Sequence, residues 1–309
     1  MSAKNSPAPA DHDIRSVVVS VATFRRPQLL SQLLNMCIAQ TAEVDARVRI
    51  VIVDNDPQAS ARESVSHFPG VEYLHEPAPG IAAARNRGLD ATTEDDDAII
   101  FIDDDELPAP GWLREIVAYA VAQGADIVTG PVEPIITDSV PRWIVAGGFW
   151  RRQNGISGST PDSVATNNTL LRLATWRANP TRFSEALSMK GGSDTEFFRS
   201  LRAAAPLKVL WCAEAVVSEH IIPERANAKW LFRRAIRIGN INARYRRRAA
   251  ALMGGIARIG VGLPFVAFDF AVHRQPMARS WNMLAHGLGM VGNVLNVDLI
   301  EYRRRTNGA

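Results

Sequence analysis

The feature that most constrains the fold is an alternation of short apolar segments with longer amphipathic segments over the first 132 residues. Five segments rich in Val and Ile predict buried strands at 16–22, 48–55, 71–76, 98–103 and 125–132. The segments between them place apolar side chains at helical spacing, as Leu30, Leu33 and Leu34 do. Strands that alternate with helices indicate an α/β fold with a mostly parallel, doubly wound sheet.

Charge is divided unevenly along the chain. The apolar content of 47% and the charged content of 22% are typical of a soluble globular protein. Residues 1–150 contain 22 acids and 11 Lys or Arg, whereas residues 151–309 contain 10 acids and 24 Lys or Arg. A basic second half indicates an anionic partner, for which a membrane surface, a nucleic acid and a phosphorylated substrate are the alternatives.

The N-terminus and the cysteines favour a cytosolic protein. Residues 1–13 are polar and contain two prolines, which predicts a disordered tail and no secretory signal. Cys37 and Cys212 form no pattern, so we expect both to be reduced residues that serve packing.

Polar side chains follow three of the predicted strands. Thr23 and Arg25 follow the first strand, Asp54 ends the second, and the acidic run 103–106 ends the fourth. Because ligands collect at the carboxyl ends of parallel strands, these groups predict a nucleotide site. Carboxylates there can bind a base, a ribose hydroxyl or a hard divalent ion such as Mn²⁺ or Mg²⁺. No glycine-rich phosphate loop occurs, so a diphosphate would need the metal and arginines for charge balance.

An ordered set of motifs extends over residues 16–202. In chain order it reads VSVATFRRPQLLSQLL, IVIVDNDP, GIAAARNRG, FIDDDELPAPGWL and GGSDTEFFRSL. The set resembles the family 2 glycosyltransferases, which have the GT-A fold. The segments ATNNTLLRL and GLGMVGNV are most similar to bacterial exopolysaccharide enzymes of the succinoglycan-biosynthesis type. The resemblance implies a GT-A catalytic domain at 14–223 and a helical, basic C-terminal region at 224–309.

The resemblance also implies a donor site. Asp54 would read the nucleobase, most often uracil, although an Asp at this place is also a good turn cap. Asp103 would face the ribose and the metal, and Asp105 would be the direct metal ligand. The expected nucleotide-sugar contacts are Thr23, Arg25, Asp54, Arg85, Asn86, Asp103 and Asp104, and the expected metal contacts are Asp103, Asp105 and His220. Arg85 could instead be an ordinary surface arginine, and His220 an ordinary packed or exposed histidine.

The resemblance places the catalytic base at Asp194. The family usually has Glu-Asp there, and Ser193 replaces that Glu. A helix cap is a compatible alternative for Asp194, and Glu196 is a weaker candidate base. One displacement on a nucleoside-diphosphate sugar would invert the anomeric centre. Trp143 and Asn168 are the expected acceptor contacts, with core packing an open alternative for Trp143.

The second half predicts contact with a membrane. Residues 225–248 hold nine Lys or Arg and no acid. The apolar segment 249–272 is broken by charges, a proline and glycines, which favours an interfacial helix over a span. Residues 281–305 predict another amphipathic helix, and basic residues beside such helices bind anionic lipid headgroups. No nucleic-acid-binding motif accompanies the arginines, so nucleic acid is not an expected partner.

Together these features predict a metal-dependent inverting glycosyltransferase. It would move a sugar from a nucleoside-diphosphate sugar, with a UDP-sugar as the expected donor, to a lipid-linked or growing polysaccharide acceptor at the inner face of a bacterial plasma membrane. A non-catalytic nucleotide-sugar or polysaccharide-binding protein is the main alternative, against which the presence of Asp103, Asp105 and Asp194 argues. A phosphoryl-transfer enzyme is a third hypothesis, but Glu106-Leu107-Pro108 is not its usual continuation after the aspartates.

Overall fold

The computed structural model describes residues 13–150, 155–188 and 191–297. The chain forms two compact units that interleave along the sequence. The first contains Met1–Val132, Asn154–Phe183 and Asp194–Ser218, and the second contains Glu133–Gln153, Ser184–Ser193 and Glu219–Ala309. The second unit thus takes in two segments that lie before the boundary at 223. Of the predicted disordered tail, residues 1–12 lie outside the described residues, as do residues 298–305 of the last predicted helix.

Ten strands and ten helices make up the described residues. The strands are β1 Ser16–Thr23, β2 Arg47–Asp54, β3 Val71–His75, β4 Ala98–Asp103, β5 Glu106–Pro108, β6 Ile127–Thr129, β7 Val132–Ile135, β8 Thr169–Arg172, β9 Val209–Trp211 and β10 Val217–His220. The helices are α1 Pro27–Gln40, α2 Arg62–Ser66, α3 Ile81–Asp90, α4 Trp112–Gln123, α5 Arg142–Ala146, α6 Leu173–Ala178, α7 Ser193–Ala204, α8 Ala228–Arg244, α9 Arg248–His273 and α10 Ala278–Val294.

The first unit is built on a seven-stranded sheet in the order β3-β2-β1-β4-β8-β6-β9. β1 is parallel to β2 and β4, β2 is parallel to β3, and β6 is parallel to β9. The prediction of a mostly parallel sheet is therefore confirmed. β8 is antiparallel to both β4 and β6, and the sequence did not predict it as a strand. Its four residues are too few to show a period.

The register of β1 brings the polar strand ends together. Thr23 lies opposite Asp54 on β2, and Ala22 lies opposite Asp103 on β4. Alternate residues of β1 point to opposite faces of the sheet, so Val17 and Val19 pack on one side while Val18 packs on the other. Helices α1 and α4 contribute to the core on the first side, and α3 and α7 to the core on the second. The polar edge therefore stands on strands β1 and β4, which are largely buried.

The second unit contains a layer of three long helices. α10 packs along α8 and along α9. A Cβ atom added at Gly239 of α8 would lie 2.2 Å from the carbonyl oxygen of His286, and one added at Gly289 of α10 would lie 1.9 Å from that of Ile236. The backbones of α8 and α10 thus touch where these glycines leave room. Glycine here permits close helix packing, which compensates for its poor helix propensity.

Cys37 and Cys212 are both buried and free, as predicted. Burial raises the pKa of the Cys37 thiol to about 12 and that of Cys212 to about 11. Both side chains therefore serve packing, since a thiolate is the reactive form of cysteine.

Candidate active site

The acidic run 103–106 forms a tight turn after β4 in which exposed and buried carboxylates alternate. The side chains of Asp103 and Asp105 are 38% and 20% exposed, whereas Asp104 and Glu106 are buried. Glu106 accepts hydrogen bonds from the backbone N–H of Asp103 at 2.9 Å and from Nδ2 of Asn167 at 3.1 Å. Glu106 thus fixes the turn from inside, and its neighbours at 103 and 105 face outward.

Arg26 is the cation that offsets this cluster. Its Nη1 lies 2.9 Å from Oδ1 of Asp104 and 2.8 Å from Oδ2 of Asp105. Sequence reasoning chose Arg25 and missed Arg26. Arg25 has a positive φ of 55° and instead pairs with Asp56 at 3.2 Å. The signal that could have found Arg26 is its place directly before Pro27, which starts α1 and so sets the direction of the preceding residue.

Asp104 is a supporting residue of the turn. It accepts a hydrogen bond of 2.8 Å from the hydroxyl of Thr23, which is itself buried. Burial raises the pKa of Asp104 to about 6, and the Arg26 guanidinium and the Thr23 hydroxyl lower it only in part. These bonds do not test the expected nucleotide contacts by Thr23 and Asp104, which stay predictions. The two side chains satisfy each other beneath the surface and tie β1 to the acidic turn.

Asp54 is fully buried at the end of β2. Its carboxylate accepts hydrogen bonds from the backbone N–H of Asp56 at 3.0 Å and of Ala61 at 2.8 Å, and from the hydroxyl of Tyr73 at 3.0 Å. Burial and the bond to Asp54 raise the pKa of Tyr73 to about 12. These contacts match the turn-capping alternative, and a base contact by Asp54 itself would require them to open.

The two residues of the ARN motif have different surroundings. Nη2 of Arg85 lies 3.0 Å from Oδ1 of Asp103, so Arg85 borders the acidic turn and is not an ordinary surface arginine. Asn86 is buried and exchanges two hydrogen bonds with the backbone of Phe183, at 2.8 and 3.0 Å. Asn86 therefore anchors the segment at 183 to α3, and a direct nucleotide contact by its amide is not available in this structure.

The outward carboxylates of the acidic turn match the ligands that a divalent metal prefers. Asp103 and Asp105 supply hard oxygen atoms, which suit Mg²⁺ or Mn²⁺. The described residues contain no group of three or more His, Cys, Asp or Glu that could hold a metal ion. Mg²⁺ commonly takes one or two protein carboxylates and completes its shell with waters and substrate phosphates. The donor set fits a metal of that kind, held jointly with a diphosphate.

Asp194 lies in the first turn of α7 and is partly exposed. Its Oδ1 accepts a hydrogen bond of 2.7 Å from the backbone N–H of Thr195, the next residue, and its second oxygen has no hydrogen bond among the described residues. Because α7 begins at Ser193, Asp194 lies inside the first turn and not at the cap position before it. Glu196, two residues on, has a buried Oε2 with no hydrogen-bond partner among the described residues. Both side chains are partly exposed, and the observed burial concerns only the Oε2 atom of Glu196.

The remaining predicted contacts are a histidine and two candidate acceptor residues. His220 is exposed at the end of β10 in the second unit. Trp143, also in the second unit, packs edge-on against Phe149 with 5.5 Å between ring centroids. Asn168 is fully buried, with its amide bonded to Trp112, Pro131 and Ala215 at 2.7–2.9 Å. Both polar atoms of the Asn168 side chain are thus bonded inside the first unit, and its expected acceptor contact stays a prediction.

Comparison with known proteins gives one family and several related folds. The model of glycosyl transferase family 2 matches residues 18–177. Succinoglycan biosynthesis protein ExoM of Rhizobium meliloti (strain 1021) is 33% identical over 231 residues, which is 73% of this chain and 74% of ExoM.

Solved structures show the same fold at low identity. S. aureus TarS 1–349 in complex with UDP-GlcNAc is 14% identical, with a TM-score of 0.50 over 91% of this chain and 92% of that one. The mannosyltransferase PcManGT of Pyrobaculum calidifontis in complex with GDP-Man and Mn²⁺ is 16% identical, with a TM-score of 0.52. The match covers 95% of this chain and 77% of PcManGT. A longer TarS chain is matched over 42% of its length.

Proposed function

Because the chain belongs to glycosyl transferase family 2 and has the GT-A fold, we propose that it transfers a sugar from a nucleoside-diphosphate sugar to a saccharide hydroxyl with inversion. The observation that carries the proposal is the acidic turn after β4. There Asp103 and Asp105 face outward between Arg26 and Arg85. Carboxylates for a metal and arginines for phosphate are the groups that a diphosphate donor needs when no glycine-rich loop is present.

The donor half of the reaction uses the acidic turn and its arginines. Asp103 and Asp105 would hold Mn²⁺ or Mg²⁺, which when bound supplies positive charge to stabilise the leaving diphosphate. Asp103 would also accept from the ribose. Arg85, and Arg26 once it leaves Asp105, would donate to phosphate oxygens, since guanidinium forks match phosphate geometry. A uridine nucleotide is supported by the UDP and UDP-GlcNAc complexes of TarS, and Mn²⁺ by the PcManGT complex.

The acceptor half uses Asp194. Its carboxylate takes the proton of the acceptor hydroxyl as that oxygen forms a bond to the anomeric carbon. The bond from that carbon to the diphosphate oxygen breaks in the same step and inverts the centre. The partly exposed position of Asp194 supports this role, as does its second oxygen, which has no hydrogen bond among the described residues.

The acceptor is proposed to be a lipid-linked or growing polysaccharide, reached at the cytoplasmic face of the membrane. Similarity to ExoM supports a role in exopolysaccharide biosynthesis. Exposed His220 remains a proposed metal or diphosphate contact, and Trp143 a proposed acceptor contact.

The test is a donor screen with the full chain. Release of nucleoside diphosphate from UDP- and GDP-sugars is measured with Mn²⁺, with Mg²⁺ and with a chelator, and calorimetry measures UDP binding under the same conditions. Asp105→Asn should abolish turnover and remove the metal dependence of UDP binding, whereas Asp162→Asn, an exposed acid in the same unit, should change neither. Metal-independent UDP binding by the parent would contradict the metal assignment. Tight binding without turnover of any donor would favour a non-catalytic binding protein.

A further inference from the structure

The outer surface of α9 is apolar over most of the length of the helix. Eight large apolar side chains between residues 253 and 272 are 47–66% exposed, among them Ile256, Phe265, Phe268 and Val272. The helix is long and apolar enough to cross a bilayer, with a mean hydropathy of 1.7 over 18 residues, yet only 17% of that window is buried. Such an exposed area on a protein in water marks a contact with a partner or a membrane.

The two charges inside this apolar stretch are kept off its outer surface. Asp269 is buried and accepts a hydrogen bond from the hydroxyl of Ser280 on α10. Arg258 is partly buried and donates to the carbonyl oxygen of Gly254 one turn earlier. The large exposed side chains from 259 to 272 are therefore uncharged until His273 at the end of the helix. Packing against α10 hides Asp269, one of the residues that in the sequence argued against a transmembrane span.

Basic residues border the apolar surface. Residues 225–297 contain twelve Lys or Arg against one acid, the buried Asp269. Exposed arginines stand at both ends of α9: Arg246, Arg247 and Arg248 at its start, and Arg274 and Arg279 after its end. The long stems of such side chains lie along apolar surface while their guanidinium groups reach phosphate. A second copy of this chain would bring the same positive charge against itself, whereas anionic lipid neutralises it.

The three-helix layer argues against a transmembrane orientation of α9. α10 contacts α9 at two places: the backbones approach each other at Gly255 and Gly287, and Ser280 donates a hydrogen bond to Asp269. α8 contacts α10 where Gly239 lies against His286. If α9 crossed the bilayer, α8 would lie beside it at the same depth, about two helix spacings of 8–10 Å away. α8 carries four arginines, and arginine at the bilayer centre is costly.

We propose that α9 binds an anionic phospholipid bilayer in the plane of the interface. Its outer face enters the headgroup–acyl boundary, α10 lies behind it, and the arginines at both ends contact lipid phosphates. This inference does not depend on the proposed transferase activity. It would place that activity at a membrane surface.

The binding test uses co-sedimentation of the full chain with phosphatidylcholine vesicles, with and without about 30% phosphatidylglycerol. The parent should bind the anionic vesicles and be partly released by 1 M salt, where screening is strong. The double variant Phe265→Asp/Phe268→Asp should lower the partition coefficient at least about tenfold. Ile156→Asp, which changes an exposed isoleucine of the first unit in the same way, should leave it unchanged. Equal binding by the double variant, or by neutral vesicles, would overturn the proposal.

The orientation test compares two labelled positions. Ile256→Cys and Val272→Cys are exposed near opposite ends of α9, about 24 Å apart along the axis, and the native cysteines are buried. A fluorophore at either position should be quenched equally by lipids that carry a shallow quencher. Strong quenching at one position by a bilayer-centre quencher would show a span and overturn the in-plane orientation. Salt-stable dimers that the Phe265→Asp/Phe268→Asp variant abolishes, with no vesicle binding by the parent, would show that a second copy covers the face.

Discussion

At the scale of the residue, a substitution of Asp194 should distinguish sugar transfer from donor binding. Asp194→Asn keeps the size and the capping ability of the side chain but removes its basicity. We expect donor affinity to be retained and transfer to fall about 10²- to 10⁴-fold, the usual contribution of a general base. The measurements are UDP binding by calorimetry and sugar transfer to a saccharide acceptor. The control is Glu196→Gln, because the Glu196 Oε2 atom is buried. If Glu196→Gln lost more transfer activity than Asp194→Asn, Glu196 and not Asp194 would be the catalytic base.

Asp104 should make the stability of the protein depend on pH in an unusual direction for a carboxylate. Its folded pKa of about 6 lies above the usual value, because burial outweighs Arg26 and Thr23. The folded state therefore holds a proton that the unfolded chain has lost between about pH 4 and 6, so stability falls as pH rises through this window. Two pKa units correspond to about 3 kcal/mol.

The test of Asp104 is urea unfolding of the parent and of Asp104→Asn from pH 4 to 8. As the pH rises over this range, the unfolding free energy of the parent should fall by about 2–3 kcal/mol relative to that of the variant. A constant difference would show that Asp104 has an ordinary pKa, and a difference that moves the other way would show that Arg26 dominates over burial.

At the scale of the element, the contact between α8 and α10 depends on glycine. A Cβ atom at Gly289 would lie 1.9 Å from the backbone oxygen of Ile236, which cannot rotate away. Gly289→Ala should therefore force the helices apart and lower the stability of the second unit by about 1–3 kcal/mol. Gly260→Ala on α9 is the matched control, because nothing lies within 4 Å of its added Cβ. That control should be neutral or stabilise by up to about 1 kcal/mol through helix propensity.

Thermal unfolding followed by circular dichroism measures both glycine variants. A melting temperature of Gly289→Ala equal to that of the control would mean that the two helices are not in backbone contact. The result also bears on the lipid-binding surface, because α10 is the element that holds α9 and covers Asp269.

At the scale of the whole molecule, the donor chemistry and the lipid-binding surface belong to different compact units. The acidic turn and Asp194 lie in the first unit, and α8, α9 and α10 lie in the second. We therefore expect Phe265→Asp/Phe268→Asp to hydrolyse a soluble nucleotide sugar within about twofold of the parent rate while losing vesicle binding. Release of nucleoside diphosphate without lipid measures this. A parallel loss of both properties would show that the two units depend on each other.

The first four strands and the edge where they end were predictable from the sequence. Runs such as 16–22 and 98–103 carry a buried-strand pattern that depends only on neighbouring residues. The parallel order then follows from the helices between them, and the acidic run 103–106 must end at the ligand-binding edge. The family was also readable there, because its motifs are short and local.

Tertiary structure alone decided which side chains of that edge remain accessible. Thr23 and Asp104 are 81 residues apart and satisfy each other, and Asn168 is used up by three partners brought in by other segments. No local pattern distinguishes Asp104 from Asp105. The same holds for α9, whose Asp269 argues against a transmembrane span in the sequence but is covered by α10 in the structure. The sequence determines elements through local periodicity, whereas exposure and pairing depend on register and packing between distant segments.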